Sequence, residues 1–145
     1  MALDKWSALG TLTAYLTTEL NSLASAGNVI GAAIANQTDK NKLMIAELVV
    51  TYGVAPATGK SVDLYAVLSA DGTNYSDGDA TIDPLMVYLC SFPLRAVTVA
   101  QRIVVPNIPL LAPALFKLVV LNEAGQAMAA SGNTLKYATY NAEIV

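Results

Sequence analysis

Hydrophobic and polar residues alternate along much of the chain after residue 40. In residues 43–52, Met44, Leu48 and Val50 fall on one face, whereas Glu47 falls on the other. This is the period of a half-buried β-strand, because successive side chains point to opposite faces of a sheet. The same reasoning predicts strands over residues 43–52, 62–68, 85–92, 97–105, 114–121 and 134–140, with a short one at 32–35 as an option.

Clusters of turn-forming residues separate the predicted strands. They are Gly53 with Pro56 and Gly59, the Asp71-Gly72 and Asp77-Gly78 pairs, and residues 106–113, 122–125 and 131–133. Many short strands with turns between them, and no long helical pattern, are typical of antiparallel architectures. We therefore predict an all-β fold: an antiparallel two-sheet sandwich, jelly-roll-like, with about seven or eight strands.

The first thirty residues have a different pattern. Residues 1–30 are predicted to form an N-terminal arm or a short helix, followed by a β-sandwich domain in residues 31–145. Several apolar residues of 10–25 recur at helical spacing, but the threonines among them are poor helix formers, so both alternatives stay open. Apolar side chains outside the strands must pack on the body or on a neighbour. The candidate interface residues are Trp6, Leu9, Leu12, Tyr15 and Leu16.

The composition indicates that much of the surface contacts other subunits. The chain has 145 residues, 54% hydrophobic and 13% charged, whereas an average soluble domain carries about 25% charged residues. High hydrophobicity with low net charge excludes intrinsic disorder. A single domain of this length cannot bury every apolar residue, and protein interfaces are depleted of Lys, Glu and Asp. We therefore expect the chain to assemble with neighbours.

Catalytic and cofactor motifs are missing from the sequence. There is no histidine, which removes the commonest general base and metal ligand, and Cys90 is the only cysteine. No phosphate-binding glycine motif occurs, so we expect neither an enzyme nor a cofactor. A net charge of −3 disfavours nucleic acid as a partner. No segment matches the ~20 apolar residues of a membrane-spanning helix or a signal peptide, so no membrane association is expected.

Five of the seven aspartates lie between residues 63 and 83, with no lysine or arginine between 61 and 94. Asp71, Asn74, Asp77 and Asp79 offer oxygen ligands of the kind that Ca²⁺ prefers. However, Tyr75 falls where a calcium loop has a ligand, and no glutamate follows. Asp-Gly pairs are also common in hairpin turns. We favour a solvated turn and predict no metal site; Tyr75 is the best candidate for stacking on a glycan, although tyrosines in strands usually serve packing.

The two arginines are Arg95, just before the strand predicted at 97–105, and Arg102, within it. Their spacing of seven residues places them on opposite faces of a strand, which is poor geometry for a joint anion site. We expect ordinary strand-end charges, with pairing to the acidic segment of another subunit as an open alternative.

Several short motifs resemble small virion proteins of tailed bacteriophages. They are Val62-Asp63-Leu64-Tyr65, residues 69–75 (Ser-Ala-Asp-Gly-Thr-Asn-Tyr), Phe92-Pro93-Leu94-Arg95, Ile108-Pro109-Leu110 with Pro113 and Phe116-Lys117, and residues 129–135 (Ala-Ala-Ser-Gly-Asn-Thr-Leu). They are spread over about residues 60–141. In these motifs the chain is similar to capsid decoration (cement) proteins and related head-associated structural proteins.

The resemblance implies a β-sandwich or jelly-roll subunit that binds and stabilises the capsid shell. Its partners would be the major capsid protein and other copies of itself, with a trimer favoured. It would sit on the capsid exterior of the virion, and in the host cytoplasm during assembly. The arm would contact the shell, so that deleting residues 1–25 would abolish binding and leave the sandwich folded. The alternative is a tail-fibre or receptor-binding module that recognises a glycan at residues 71–79, so both head and tail positions stay open.

Overall fold

The computed structural model describes residues 3–85 and 87–144, and the all-β prediction is confirmed. The strands in these residues are β1 (Asp4–Trp6), β2 (Thr13–Leu16), β3 (Asn28–Ile30), β4 (Ile34–Ala35), β5 (Leu43–Val50), β6 (Ser61–Ser69), β7 (Tyr88–Pro93), β8 (Gln101–Pro109), β9 (Leu115–Asn122), β10 (Thr134–Tyr140) and β11 (Ala142–Ile144). A single-turn 3-10 helix spans Thr18–Leu20, and the four-residue helix α1 spans Asn36–Asp39. No helix in the described part of the chain is long and apolar enough to cross a membrane.

Two antiparallel sheets form the predicted sandwich. The β5 sheet has the strand order β2-β10-β5-β8, and the β6 sheet has the order β3-β9-β6-β7, with β4 also paired to β9. Successive strands along the chain thus alternate between the sheets at β2 and β3 and again at β8, β9 and β10. This order is that of a jelly roll, in which two Greek keys interleave. The short strands β1 and β11 pair only with each other, as a two-stranded ribbon made from the two ends of the described chain.

The core lies between the sheets and follows the alternation in the sequence. Met44, Leu48 and Val50 of β5 are fully buried, as is Tyr52 just beyond the strand. On β6 the inward side chains include Val62, Leu64 and Ala66, all of which belong to the same hydrophobic cluster. The predicted inward face of residues 43–52 is therefore confirmed, because a two-layer fold buries one face of each strand.

Strand β8 begins and ends later than predicted. The strand predicted at 97–105 is observed at Gln101–Pro109, so it runs through the first part of the predicted turn at 106–113. Pro106 is accommodated because β8 is an edge strand, where a missing N–H breaks no sheet bond. At a β-bulge, Pro106 has no paired residue on β5, and Asn107 takes a left-handed φ of 56°. The strand predicted at 85–92 is observed from Tyr88; Met86 lies outside the described residues.

Residues 10–25 take the extended alternative, and much of this segment belongs to the sandwich. Strand β2 pairs with β10, and β3 pairs with β9. The only helical element here is the turn at Thr18–Leu20. Leu16 and Leu20 are fully buried in the core. Deleting residues 1–25 would remove β2 and two core leucines, so the expectation that the sandwich survives this deletion is wrong.

Buried asparagines fasten the connections between strands. Asn122, at the end of β9, is completely buried. Its Nδ2 donates to the carbonyl oxygens of Leu23 (3.0 Å), Ala24 (3.1 Å) and Gln126 (2.8 Å). Its Oδ1 accepts from the Tyr52 hydroxyl (3.1 Å) and, at 3.2 Å, from the backbone N–H of the residue two positions later. One neutral amide thus joins the segment before β3, the turn after β9 and the core.

Two further asparagines act in the same way. Buried Asn133 accepts from the N–H of Thr51 (3.0 Å) and donates to the carbonyl of Ala129 (2.8 Å). Buried Asn36 bonds to both the N–H and the carbonyl of Asn41, at 2.9 Å each. Buried backbone groups need such partners, because each unpaired one has a large desolvation cost.

We predict that Asn122→Ala lowers the free energy of unfolding by about 3 kcal/mol, because several buried partners lose their hydrogen bonds together. Chemical denaturation followed by circular dichroism measures this change. Gln37→Ala is the matched control, since this amide side chain is exposed and should change stability by less than about 0.5 kcal/mol. Equal, small effects of the two substitutions would contradict the role given to Asn122.

Candidate interaction surfaces

The acidic segment packs across the outer face of the β6 sheet. Val67 points away from the core because it alternates with Ala66 on β6, yet it is fully buried. Gly78 lies directly over it: a Cβ atom at Gly78 would be 2.9 Å from the Val67 Cγ1 atom. Farther along, the Asp83 carboxylate accepts a hydrogen bond from Asn28 Nδ2 (2.8 Å) on β3. We call residues 70–85 the acidic strap.

The aspartates of this strap close their own turns. The Asp71 carboxylate accepts from the N–H groups of Thr73 (2.8 Å) and Asn74 (2.7 Å) and from Asn74 Nδ2 (2.7 Å). Asp79 accepts from the N–H of Thr81 (2.6 Å) and of Ile82 (2.9 Å). These bonds stabilise the charged form and hold the pKa of both carboxyl groups below its usual value. The local geometry is that of Asx turns.

Of the calcium candidate Asp71, Asn74, Asp77 and Asp79, the first two bond to each other in one turn, and Asp79 closes a second turn. Within residues 3–85 and 87–144, no three acidic or cysteine side chains come together as a metal site. The glycan candidate Tyr75 is covered on one side, because the Lys117 ammonium group lies 4.2 Å from the centre of its ring. The strap is thus mainly a cover for its own sheet.

The five candidate interface residues fall into two groups. Tyr15 and Leu16 belong to β2: Leu16 is buried, and the Tyr15 hydroxyl donates to the carbonyl of Ala32 (2.6 Å) and accepts from the N–H of Leu118 (2.9 Å). Leu16 is thus a core residue and not an interface residue as predicted, whereas Tyr15 is half-buried and joins the two sheets through its hydroxyl group. Trp6, Leu9 and Leu12 are exposed, with 60% of the Trp6 surface and 55% of the Leu9 surface accessible.

Trp6 and Leu9 line one concavity together, and Leu3 and Ile144 lie at or beside the ribbon of β1 and β11 that contains Trp6. We call Leu3, Trp6, Leu9, Leu12 and Ile144 the N-terminal patch. Backbone bonds attach this segment to the body, from Ser7 N–H to the Asn141 carbonyl (2.8 Å) and from Gly10 N–H to the Thr139 carbonyl (3.1 Å). The Trp6 ring packs edge-on against Tyr140, with 5.6 Å between ring centres.

Two open concavities adjoin Trp6. One, of about 270 Å³, is lined by Trp6, Ser7, Leu9, Ile45, Asn107 and Tyr140. The other, of about 400 Å³, is lined by residues of β1 and β11. Because the patch is held in place by backbone bonds and has hollows on its surface, it offers a shaped apolar site to another protein.

The outer face of the β5 sheet carries the one ion pair of the described residues. Arg102 Nη1 lies 2.8 Å from Glu47 Oε2. Arg102 therefore has a partner within its own chain, and its pairing with the acidic segment of another subunit stays an open alternative. Arg95 precedes β8, and its backbone N–H and carbonyl bond to the buried side chain of Gln101 (2.7 and 3.0 Å).

The single thiol is buried and unsuited to nucleophilic chemistry. Cys90 lies on β7 facing the core, and burial, with the nearby Asp63 charge, raises its pKa to about 12. A thiol with this pKa is almost entirely protonated near neutral pH, and the thiolate is the reactive form.

Comparison with known proteins does not assign a family. No family model and no curated protein matches the chain. Among solved structures, the chain is similar to an arabinose-bound α-L-arabinofuranosidase, with a TM-score of 0.36 and 11% identity. The match covers 97% of this chain and 23% of that enzyme, so this chain spans under a quarter of its length. A similarity at this TM-score has no bearing on function.

We predict that Asp71 stays largely ionised at pH 3.8, where an ordinary aspartate is half protonated. Its folded-state pKa is lowered, so its contribution to stability is complete above the unfolded value and is lost only as the pH falls through the lower folded value. Carboxyl ¹³C chemical shifts recorded during an acid titration measure this. Asn74→Ala removes one donor and should raise the midpoint; a wild-type midpoint near 3.8 would contradict the turn's role.

Proposed function

We propose that this chain is a non-enzymatic structural protein of a bacteriophage virion, which binds the capsid shell and stabilises it as a decoration (cement) subunit. Its partners would be the major capsid protein and other copies of itself, and its place would be the capsid exterior. The resemblance within residues 60–141 supports this proposal, as does the jelly-roll strand order, which is common among viral capsid domains.

The main observation behind the proposal is the N-terminal patch. The buried core is formed by residues of β2 to β10 and the segments between them. The exposed side chains of Trp6 and Leu9 therefore contribute little to that core. Contiguous exposed apolar patches on soluble proteins mark contact sites, because burying them against a partner releases water from apolar surface. A large aromatic side chain beside a concavity is also a common anchor of protein interfaces.

The low charge of the chain suits a shell-binding role. A surface with few lysines and glutamates can be covered by another protein without desolvating many charged groups, which would be costly. Each subunit needs only a modest affinity, because many copies on a symmetric shell reinforce it together and linked contacts add avidity. The mechanism would therefore be mechanical: apolar and backbone contacts that bridge neighbouring shell subunits.

The residues that would have to carry catalysis have other roles. The sequence has no histidine, the thiol is buried with a raised pKa, and Asp71 and Asp79 are bonded within their turns. These observations support the non-enzymatic part of the proposal. The alternative of a glycan-binding tail module at residues 71–79 has less support, because this segment packs on its own sheet and Lys117 covers one face of Tyr75.

We predict that the double variant Trp6→Ser, Leu9→Ser binds shells at least tenfold more weakly, a loss of about 1.4 kcal/mol or more, because the apolar anchor is removed. Co-sedimentation with purified capsids that lack this chain measures the binding. The matched control is Leu111→Ser, which replaces a leucine that is 66% exposed in the segment between β8 and β9.

Thermal unfolding must show that both variants remain folded. Substitutions are preferable to a long deletion, and any deletion should stop at residue 9, because Gly10 already bonds to β10 and β2 follows. Electron microscopy of particles with and without the chain should show added density outside the shell. Equal binding by the double variant and the control, or density confined to the tail, would refute the proposal.

A further inference from the structure

A β-bulge of β8 forms part of the wall of the smaller hollow beside Trp6. Pro106 and Asn107 together fall opposite Ile45 of β5, and Asn107 takes a left-handed φ of 56°. The Tyr140 hydroxyl holds Asn107 in this conformation, because it accepts from the Asn107 backbone N–H (3.1 Å) and donates to Asn107 Oδ1. Bulges re-aim side chains at functional sites, and left-handed residues other than glycine cluster at ligand clamps. This wall therefore has one defined shape.

The side chains of this hollow have spare hydrogen-bond donors, whereas their acceptors are engaged. Asn107 Oδ1 and the Tyr140 hydroxyl oxygen accept the two bonds just described, and the Ser7 hydroxyl accepts from the Asn141 N–H (2.8 Å). Asn107 Nδ2 and the Trp6 indole N–H make no hydrogen bond within residues 3–85 and 87–144. None of the described residues that line the hollow is charged. The hollow therefore complements a neutral group that accepts hydrogen bonds.

The Trp6 ring lines both hollows and separates one from the other. It is fixed by its edge-on packing against Tyr140, with 71° between the ring planes, and Leu9 and Ile45 add apolar wall. Fixed aromatic rings beside grooves are the surfaces on which segments in the polyproline II conformation pack. Such a segment has three residues per turn and a rise of about 3.1 Å per residue, so its side chains recur on one side about every 9 Å. Its rings can therefore lie on both sides of one indole.

We propose that the hollow beside Trp6 binds a proline-bearing segment in the polyproline II conformation, with Asn107 Nδ2 and the Trp6 indole N–H donating to its backbone carbonyls. Proline is complementary to the hollow because it joins an apolar ring to a carbonyl acceptor and has no N–H. Any other residue brings an N–H to a hollow whose side-chain acceptors are engaged. The segment is ordered before binding, so little conformational entropy is lost. This inference rests on the proposed function, under which the segment belongs to a shell subunit.

The test is a titration of the full chain with decaproline blocked at both ends, a peptide that forms a polyproline II helix. Trp6 is the only tryptophan of the chain, so its fluorescence reports on the hollow directly. We expect a saturable change of this fluorescence with decaproline. A blocked Gly-Ser peptide of the same length, which is flexible and carries N–H groups, should bind at least tenfold more weakly.

Asn107→Asp tests the proposed donor. It keeps the oxygen that accepts from Tyr140 and replaces the NH₂ group with an acceptor, so it should raise the dissociation constant for decaproline at least tenfold. Gln37→Glu is the matched control, because it makes the same amide-to-carboxylate change at an exposed residue of α1 and should leave this constant unchanged. Trp6→Phe keeps an aromatic ring and removes the indole N–H; titration calorimetry should show weaker binding by this variant as well.

Circular dichroism must show that each variant is folded. Three results would overturn the inference: no fluorescence change at millimolar decaproline, an equal response to the Gly-Ser peptide, or equal affinities of Asn107→Asp and the wild-type chain.

Competition on purified shells separates this inference from the proposed function. Decaproline should displace the wild-type chain from shells in co-sedimentation, and binding of decaproline without displacement would overturn the assignment of the segment to the shell. Shell binding that Trp6→Ser, Leu9→Ser weakens, together with no decaproline binding, would overturn the inference and leave the proposed function supported. Decaproline binding by a chain that does not bind shells would overturn the proposed function and support the ligand class of the hollow.

Discussion

Buried neutral amides are the interactions on which the rest of this structure depends. In a jelly roll the chain crosses repeatedly between two sheets, and each crossing leaves backbone groups that no strand pairs. Asn122, Asn133 and Asn36 satisfy those groups from inside the protein. An amide both donates and accepts, and it has a much smaller desolvation cost than a charged group. The fold can therefore be closed with few charged residues.

Because the chain has few charged residues, much of its surface is neutral or apolar. Three carboxylates of the acidic strap accept hydrogen bonds within the chain: Asp71 and Asp79 in their own turns, and Asp83 from Asn28 on β3. The acidic strap covers part of the outer face of the β6 sheet. Exposed large apolar side chains lie in the N-terminal patch and also elsewhere, among them Ile82 and Leu85 in the strap itself.

The N-terminal patch offers an aromatic side chain beside open hollows, which is the feature on which the proposed contact with a shell subunit depends. Trp6 is held there by the edge-on contact with Tyr140 and by the backbone bonds of Ser7 and Gly10.

The sequence by itself determined the strands whose two faces differ. The alternation in residues 43–52 and 62–68 predicted β5, β6 and their inward faces, because a strand in a two-layer fold needs one apolar side. It also identified Trp6, Leu9 and Leu12 as apolar groups outside the predicted strands; all three are exposed, although Trp6 belongs to the short strand β1. The tertiary structure decided where Tyr15, Leu16 and Pro106 lie, because short or edge strands are defined by their neighbours rather than by their own period. The tertiary structure also decided the roles of Asn122 and the acidic strap. Whether an asparagine is an exposed turn residue or a buried hydrogen-bonding residue depends on contacts with residues about a hundred positions away. The local sequence does not show those contacts.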